Sequence, residues 1–149
     1  MNNKRTILTA GIIFALCLSV NIFRTWDIAV NSFKTNNLDK LYALDVQRGI
    51  ENYERKSGNE IKNIAVAHDE AVRYSYDGIK YVYKDTNIKS MVVSWGDVAT
   101  INYYTNENFT KIDMDDKVFE EQFKGKNWDR FVENEQMFFE GDTLYLCIY

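Results

Sequence analysis

Apolar positions dominate the start of the chain and then give way to mixed periodic patterns. No charged residue lies between Arg5 and Arg24. The run 7–23 has only two hydroxyls and one amide among its side chains: Thr9, Ser19 and Asn21. At a helical rise of about 1.5 Å per residue this run spans roughly 25 Å, near the lower limit for a hydrocarbon core. The pattern predicts a membrane-spanning helix, followed by Trp26 where an interfacial aromatic belongs.

Two other interpretations of this run stay open. A cleaved signal peptide would need a small-x-small site after its apolar region, and the residues after Leu18 lack one. Leu16 before Cys17 also departs from a lipoprotein box. A buried core helix usually has a polar face, and this run has none. A retained membrane helix is therefore favoured over both.

Basic residues flank the run on both sides. Lys4 and Arg5 precede it, whereas Arg24 follows it and Lys34 lies further along the chain. Positive charge favours the cytoplasmic side of a membrane, so an inside N-terminus is predicted. The chain is then a single-pass protein of the cell membrane with its C-terminal domain outside the cytoplasm.

The helical period continues after the apolar run. Residues 24–37 either extend the span or lie along the interface, and Asn36 and Asn37 are candidate N-caps of a second helix. That helix is predicted from Leu38 to about Lys56, ending at a left-handed Gly58. Its apolar face comprises Leu38, Leu41, Tyr42, Val46, Ile50 and Tyr53. Its solvated face comprises Asp39, Lys40, Arg48, Glu51, Glu54 and Arg55.

Apolar segments after residue 60 predict short strands. They are residues 64–67, 88–95, 108–114 and the closing segment 134–149, which turns as a hairpin at Gly141 and Asp142. Helices are predicted at 96–104, with Asp97 as the cap, and at 115–123, closed by Gly125. Alternation of strands and helices favours parallel pairing in the middle of the sheet.

These elements define a fold class and a division of the chain. The fold class is α/β: an N-terminal transmembrane helix followed by a small mixed β-sheet domain with helices packed on it and a C-terminal β-hairpin. Residues 1–37 form the membrane anchor and juxtamembrane segment. Residues 38–149 form the extracytoplasmic α/β domain.

Charge narrows the choice of partners. The formal net charge is -4, and acidic residues outnumber basic ones only after residue 37. Nucleic-acid binding depends on clustered Lys and Arg, so this class of partner is excluded. The predicted partners are the lipid bilayer and either other membrane proteins or surface glycans. Cys17 and Cys147 are interpreted as small buried apolar residues.

Asp113 and Asp115 are the sharpest candidates for chemistry. They follow a predicted strand with the D-x-D spacing by which many nucleotide-sugar glycosyltransferases hold a divalent cation. A metal-dependent glycosyltransferase fragment using this pair is one alternative function. The competing interpretation is that one of them caps the following helix, with Asp116 near its positive end. Capping is favoured, so no catalytic, cofactor-binding or metal-binding residue is assigned.

Two further groups of residues have both a chemical and a packing interpretation. His68 with Asp69 could hold a base, but no nucleophile with recognisable local context accompanies it, so both are expected to be polar residues at a strand end. Tyrosines crowd the segment from Tyr74 to Tyr83 and could stack on sugar rings, which makes a glycan-binding module a second alternative. Packing of these rings is favoured. Trp95 and Trp128 are expected in or beside the core.

Four segments together carry a resemblance to a known class of protein: "LDKLYALDVQRGIENYERKSG", "SWGDVATINYYTNENF", "FKGKNWDRF" and "FFEGDTLYLCIY". They resemble the C-terminal extracytoplasmic end, with the last membrane helix, of multi-spanning bacterial membrane proteins of glycosyltransferase type that act on surface polysaccharide. No position of this chain matches the catalytic motif of such proteins. The resemblance therefore implies a non-catalytic, membrane-anchored domain that serves as an accessory or detached tail of such a protein, with no cofactor.

Overall fold

The computed structural model describes residues 3–79 and 87–149. A long helix α1 (Asn3–Ser57) precedes a four-stranded sheet. The strands are β1 (Asn63–His68), β2 (Thr110–Ile112), β3 (Met137–Glu140) and β4 (Thr143–Ile148). The shorter helices are α2 (Asp97–Thr105), α3 (Asp116–Val118) continued by a π-helical turn (Phe119–Phe123), and α4 (Glu133–Gln136). The mixed α/β class predicted from the sequence is confirmed.

The sheet has the strand order β2-β1-β4-β3. β1 runs parallel to both β2 and β4, whereas β3 and β4 form an antiparallel hairpin. The hairpin turns at Gly141, whose φ of 60° lies in the left-handed region that glycine tolerates best. The predicted parallel centre and terminal hairpin are both present.

α1 is one continuous helix, where two had been expected. Asn36 and Asn37 lie inside it, so their prediction as N-caps of a second helix is wrong. Residues 24–37 instead extend the first helix, which was the other possibility for this segment. Gly58 does end the helix as predicted, with φ of 75° and its amide donating to the Glu54 carbonyl at 2.8 Å.

The first half of α1 is exposed along the apolar run 7–23. Among the described residues, α1 is the one helix long and apolar enough to cross a membrane. Its most apolar window has a mean hydropathy of 2.2 and none of it is buried. Side chains such as Phe14 and Phe23 are 69% and 73% exposed. Cys17 is also exposed here, contrary to its prediction as a buried residue, whereas Cys147 is buried.

The second half of α1 packs on the sheet. Tyr42, Val46 and Ile50 join the main apolar cluster together with Leu144 and Leu146 of β4. Leu41 is 54% exposed, so its place on the predicted apolar face is wrong. The solvated face is also wrong at one position, because Asp39 is fully buried.

Segment 88–95 forms turns where a strand had been predicted. Its centre is a 3-10 turn at Ser90–Val92, and Met91 and Val92 are buried in the main cluster. A short apolar run indicates burial but cannot by itself distinguish a strand from a buried turn. Here the Ser90 amide donates to the Asp39 carboxylate, so this amide is not available to pair with a neighbouring strand.

Candidate functional site

A groove lies between α1 and the segment that follows residue 86. It consists of two adjoining hollows, of about 520 Å³ and 250 Å³. The described residues around the larger hollow include Ser32, Asn36, Asn87, Ser90 and Trp95. Those around the smaller one include Trp95, Gly96, Thr100, Tyr103 and Tyr104. Ser90 and Trp95 border both hollows, so the two form one continuous groove.

Asp39 ties the floor of the groove to α1. Its carboxylate accepts a hydrogen bond from the Tyr76 hydroxyl at 2.8 Å and from the Ser90 amide at 3.1 Å. The residue has no exposed surface, so a carboxylate without these partners would carry a large desolvation cost. Burial raises the pKa of Tyr76, and the neighbouring Asp39 carboxylate raises it further. Tyr76 therefore stays a neutral donor at any ordinary pH.

Lys89 anchors the same segment from the other side. Its ammonium donates to the Tyr149 carbonyl at 2.8 Å and lies 3.7 Å from the centre of the Tyr149 ring. The side chain is 2% exposed, and burial lowers its pKa to about 8, against which the nearby Asp69 acts. Cation–π contact and the carbonyl together compensate part of the lost hydration.

Gly96 allows the close approach that forms the second hollow. A Cβ atom at this position would lie 2.4 Å from the Ser90 carbonyl oxygen, so a larger residue would displace one side of the groove. Gly96 is also the N-cap of α2, so the prediction of Asp97 as the cap is wrong. Asp97 begins the helix instead, where its carboxylate accepts from the Val98 amide at 2.6 Å and pairs with Lys111 at 2.5 Å.

The described residues on the rim of the groove offer polar groups without charge. The Ser32 hydroxyl donates to the Asn87 side-chain oxygen at 2.7 Å, which joins α1 to the start of the following segment. The Tyr104 hydroxyl donates to the Asn36 carbonyl at 3.2 Å and joins α2 to α1. Within the described part of the chain, the Asn36 amide, the Ser90 hydroxyl and the Trp95 indole N–H make no hydrogen bond. These groups are free to bind a ligand.

Trp95 is 82% exposed, and its expected place in or beside the core is wrong. Trp128 is 8% exposed and packs with Phe123 and Cys147, as predicted. The indole of Trp128 also donates to Glu135 at 2.9 Å. The two tryptophan side chains therefore lie in different environments, although the sequence predicts a position in or beside the core for both.

Neither aspartate of the D-x-D motif is among the described residues that border the groove. Asp115 caps α3, since its carboxylate accepts from the Lys117 amide at 2.8 Å and the Val118 amide at 3.1 Å. This agrees with the favoured capping interpretation. Asp113 is exposed just after β2. Among the described residues, no group of three potential metal ligands comes together.

His68 and Asp69 lie at the end of β1, as predicted. Asp69 is buried and accepts from the Trp128 amide at 3.1 Å. Cys147 lies on the neighbouring strand, paired with Ala67. Burial raises the pKa of its thiol to about 12, so the sulfur stays protonated near neutral pH.

The predicted tyrosine surface is divided between different environments. Tyr74 is 54% exposed, whereas Tyr76 is buried against Asp39. Tyr81 and Tyr83 lie outside the described residues. The structure instead places exposed aromatic rings at Trp95 and Tyr103, of which Tyr103 is 79% exposed. The sequence signal that could have indicated this is Gly96, which turns the chain directly after Trp95.

Comparisons with known proteins identify no relative of this chain. Neither a family model nor a curated protein nor a solved structure matches this chain. The groove and the exposed apolar helix are thus the two features from which a function is inferred.

Replacing Asp39 tests the anchor of the groove. Asp39→Ala leaves the Tyr76 hydroxyl and the Ser90 amide without a partner, so we expect the free energy of unfolding to fall by about 3 kcal/mol. Near-UV circular dichroism of the full chain in detergent micelles measures this, because it follows aromatic packing and not helix content. We expect the thermal midpoint to fall by more than about 10 °C.

Asp45→Ala is the matched control, because Asp45 forms a surface ion pair with Arg48 at 3.0 Å. Such exposed pairs contribute less than about 1 kcal/mol. Equal midpoints for the two variants would contradict the role given to Asp39.

The lowered pKa of Lys89 predicts a pH dependence of stability. Between pH 8 and the ordinary Lys value of 10.5, the folded chain has released a proton that the unfolded chain still binds. Stability therefore rises with pH in this window relative to a Lys89→Met variant, by at most about 1.4 kcal/mol per pH unit. The quantity to follow is the wild-type value minus the variant value, since Cys147 and the tyrosines titrate in both chains. Urea unfolding at pH 7 to 10.5 measures this difference, and a constant difference would refute the prediction.

Proposed function

We propose that this protein is a single-span membrane protein whose globular domain is a non-catalytic binding module held near the bilayer surface. The observation that carries the proposal is the run 7–23 of α1, which has no charged residue and lies exposed along its whole length. In water such a surface is unfavourable by about 25 cal/mol for each Å² of apolar area. A bilayer removes this cost, because lipid tails solvate apolar side chains.

The continuity of α1 supports a fixed distance between membrane and groove. Ser32 and Asn36 border the groove, and Trp26 marks the expected interface. At a helical rise of about 1.5 Å per residue, Asn36 lies roughly 15 Å beyond Trp26 along the axis. Because no loop interrupts the helix between them, the helix fixes the position of the domain relative to the span.

The basic residues around the span support one orientation. Lys4 and Arg5 precede it directly, and Arg24 follows it. The positive-inside bias thus favours a cytoplasmic N-terminus and a binding domain outside the cytoplasm. The wider role that we propose is that of an accessory module in the assembly of surface polysaccharide, and its support is the resemblance of four sequence segments to the ends of such membrane proteins.

Cell fractionation tests the membrane anchor. After expression in bacteria, we expect the full chain to sediment with membranes and to resist extraction by alkaline carbonate. Leu16→Asp places a charge at the centre of the run and should release a large share of the chain, since an acidic residue there costs roughly 3 kcal/mol on insertion.

Leu41→Asp is the matched control, because Leu41 lies on the same helix with a similar exposure but outside the apolar run. It should remain in the membrane fraction. Recovery of the wild-type chain in the soluble fraction would overturn the proposed anchoring.

A single engineered cysteine tests the orientation. Lys56→Cys introduces a thiol at the exposed end of α1, whereas the native Cys147 is buried. We expect a membrane-impermeant maleimide to label this variant in intact cells as well as in lysed cells. The wild-type chain reports background labelling, and labelling of the variant only after lysis would reverse the orientation.

A further inference from the structure

The groove beside Trp95 has an unusual electrostatic character for this chain. Charged residues make up 27% of the sequence, yet Lys89 is the one charged residue among the described residues that border either hollow. Its ammonium is already bound to the Tyr149 carbonyl and covered by the Tyr149 ring. Among the described residues, a ligand with a phosphate or carboxylate group would therefore find no free cation in the groove. An amine would find no free carboxylate among them, because Asp39 is buried and paired.

The exposed rings of the groove suit a ligand with flat apolar faces. Trp95 stands between the two hollows, and Tyr103 borders the smaller one. The face of an indole ring carries partial negative charge. It attracts C–H groups with partial positive charge, such as those on the face of a sugar ring. Because Trp95 borders both hollows, a chain of rings can extend to either side of it.

The polar groups of the groove suit hydroxyls. The Asn36 amide and the Ser90 hydroxyl each offer both donors and acceptors, and neither has a partner in the described part of the chain. Sugar hydroxyls are likewise donors and acceptors at once. The volume of the larger hollow, about 520 Å³, lies within the range of small-ligand sites.

We infer that this groove binds an uncharged oligosaccharide, with a sugar ring stacked on Trp95 and its hydroxyls bound by Asn36 and Ser90. The inference rests on the proposed function, since it names the ligand class of the binding module. The sugar is either free or linked to a lipid of the same membrane, and both sources present the same chemistry to the groove.

Calorimetric titration of the full chain in phosphatidylcholine nanodiscs tests the inference, since sugar-based detergents would compete. The free probes are maltotetraose, cellotetraose and tetra-N-acetylchitotetraose. For the lipid-linked arm, lactosylceramide is included in the nanodisc and tryptophan emission is compared with lipid alone. We expect saturable binding in at least one arm, with a Kd below about 1 mM. A blue shift of emission accompanies it, as the 82% exposed Trp95 becomes covered.

Two variants make the outcome decisive. Trp95→Ala should weaken binding about tenfold or more, as expected when a central aromatic contact is removed. Phe33→Ala should bind as the wild type does, because Phe33 is 68% exposed on α1 but borders neither hollow. Absence of binding in every arm, or equal binding by Trp95→Ala, would overturn the inference. Membrane fractionation is unaffected by either result, so the anchoring is tested separately.

Discussion

The globular domain depends on the hydrogen bonds of the buried Asp39 carboxylate. It lies on the face of α1 that packs against the rest of the domain, where an unpaired charge would be strongly destabilising. Its partners, the Tyr76 hydroxyl and the Ser90 amide, come from segments far along the chain. One side chain thereby connects the helix, the loop after β1 and the wall of the groove. Because the helix also carries the apolar run, the same contact links the groove to the exposed apolar part of α1.

Regular elements were predictable from the sequence, and the long-range polar contacts were not. The apolar run, strand β1, the terminal hairpin and the left-handed Gly58 follow from local patterns of one or two residue types. Helical periodicity predicts a solvated position for Asp39. Its buried hydrogen bonds are not visible in the local pattern, because its partners lie 37 and 51 residues away. The residue type of Trp95 predicts a core position, and the glycine directly after it indicates a turn without showing on which side of that turn the indole lies. The position of Ser90 beside Asp39 and the exposure of Trp95 therefore depend on contacts that no local pattern encodes.

The unbroken α1 has a mechanical consequence for the proposed module. A helix of 55 residues extends about 80 Å, and its two halves meet different surroundings without a loop between them. Stacking of Tyr53 on Phe139, with ring centres 4.6 Å apart, holds the far end of the helix on β3. In the proposed membrane-bound arrangement, tilting of the span would therefore move the groove with it. A lipid-linked ligand would then meet the groove at one height.

The uncharged character of the described lining of the groove follows from how the domain is stabilised. The charged groups of Asp39 and Lys89 are buried, and a hydroxyl, an amide and a carbonyl form hydrogen bonds with them. The groups that the described residues leave at the surface of the groove are an indole ring and uncharged amide and hydroxyl groups. In the proposed oligosaccharide site, selection among ligands would come from ring stacking and hydroxyl pairing, because a charged competitor would lose hydration and find no free partner of opposite charge among the described residues. The contacts that stabilise the fold thus also favour the class of ligand that we propose for the groove.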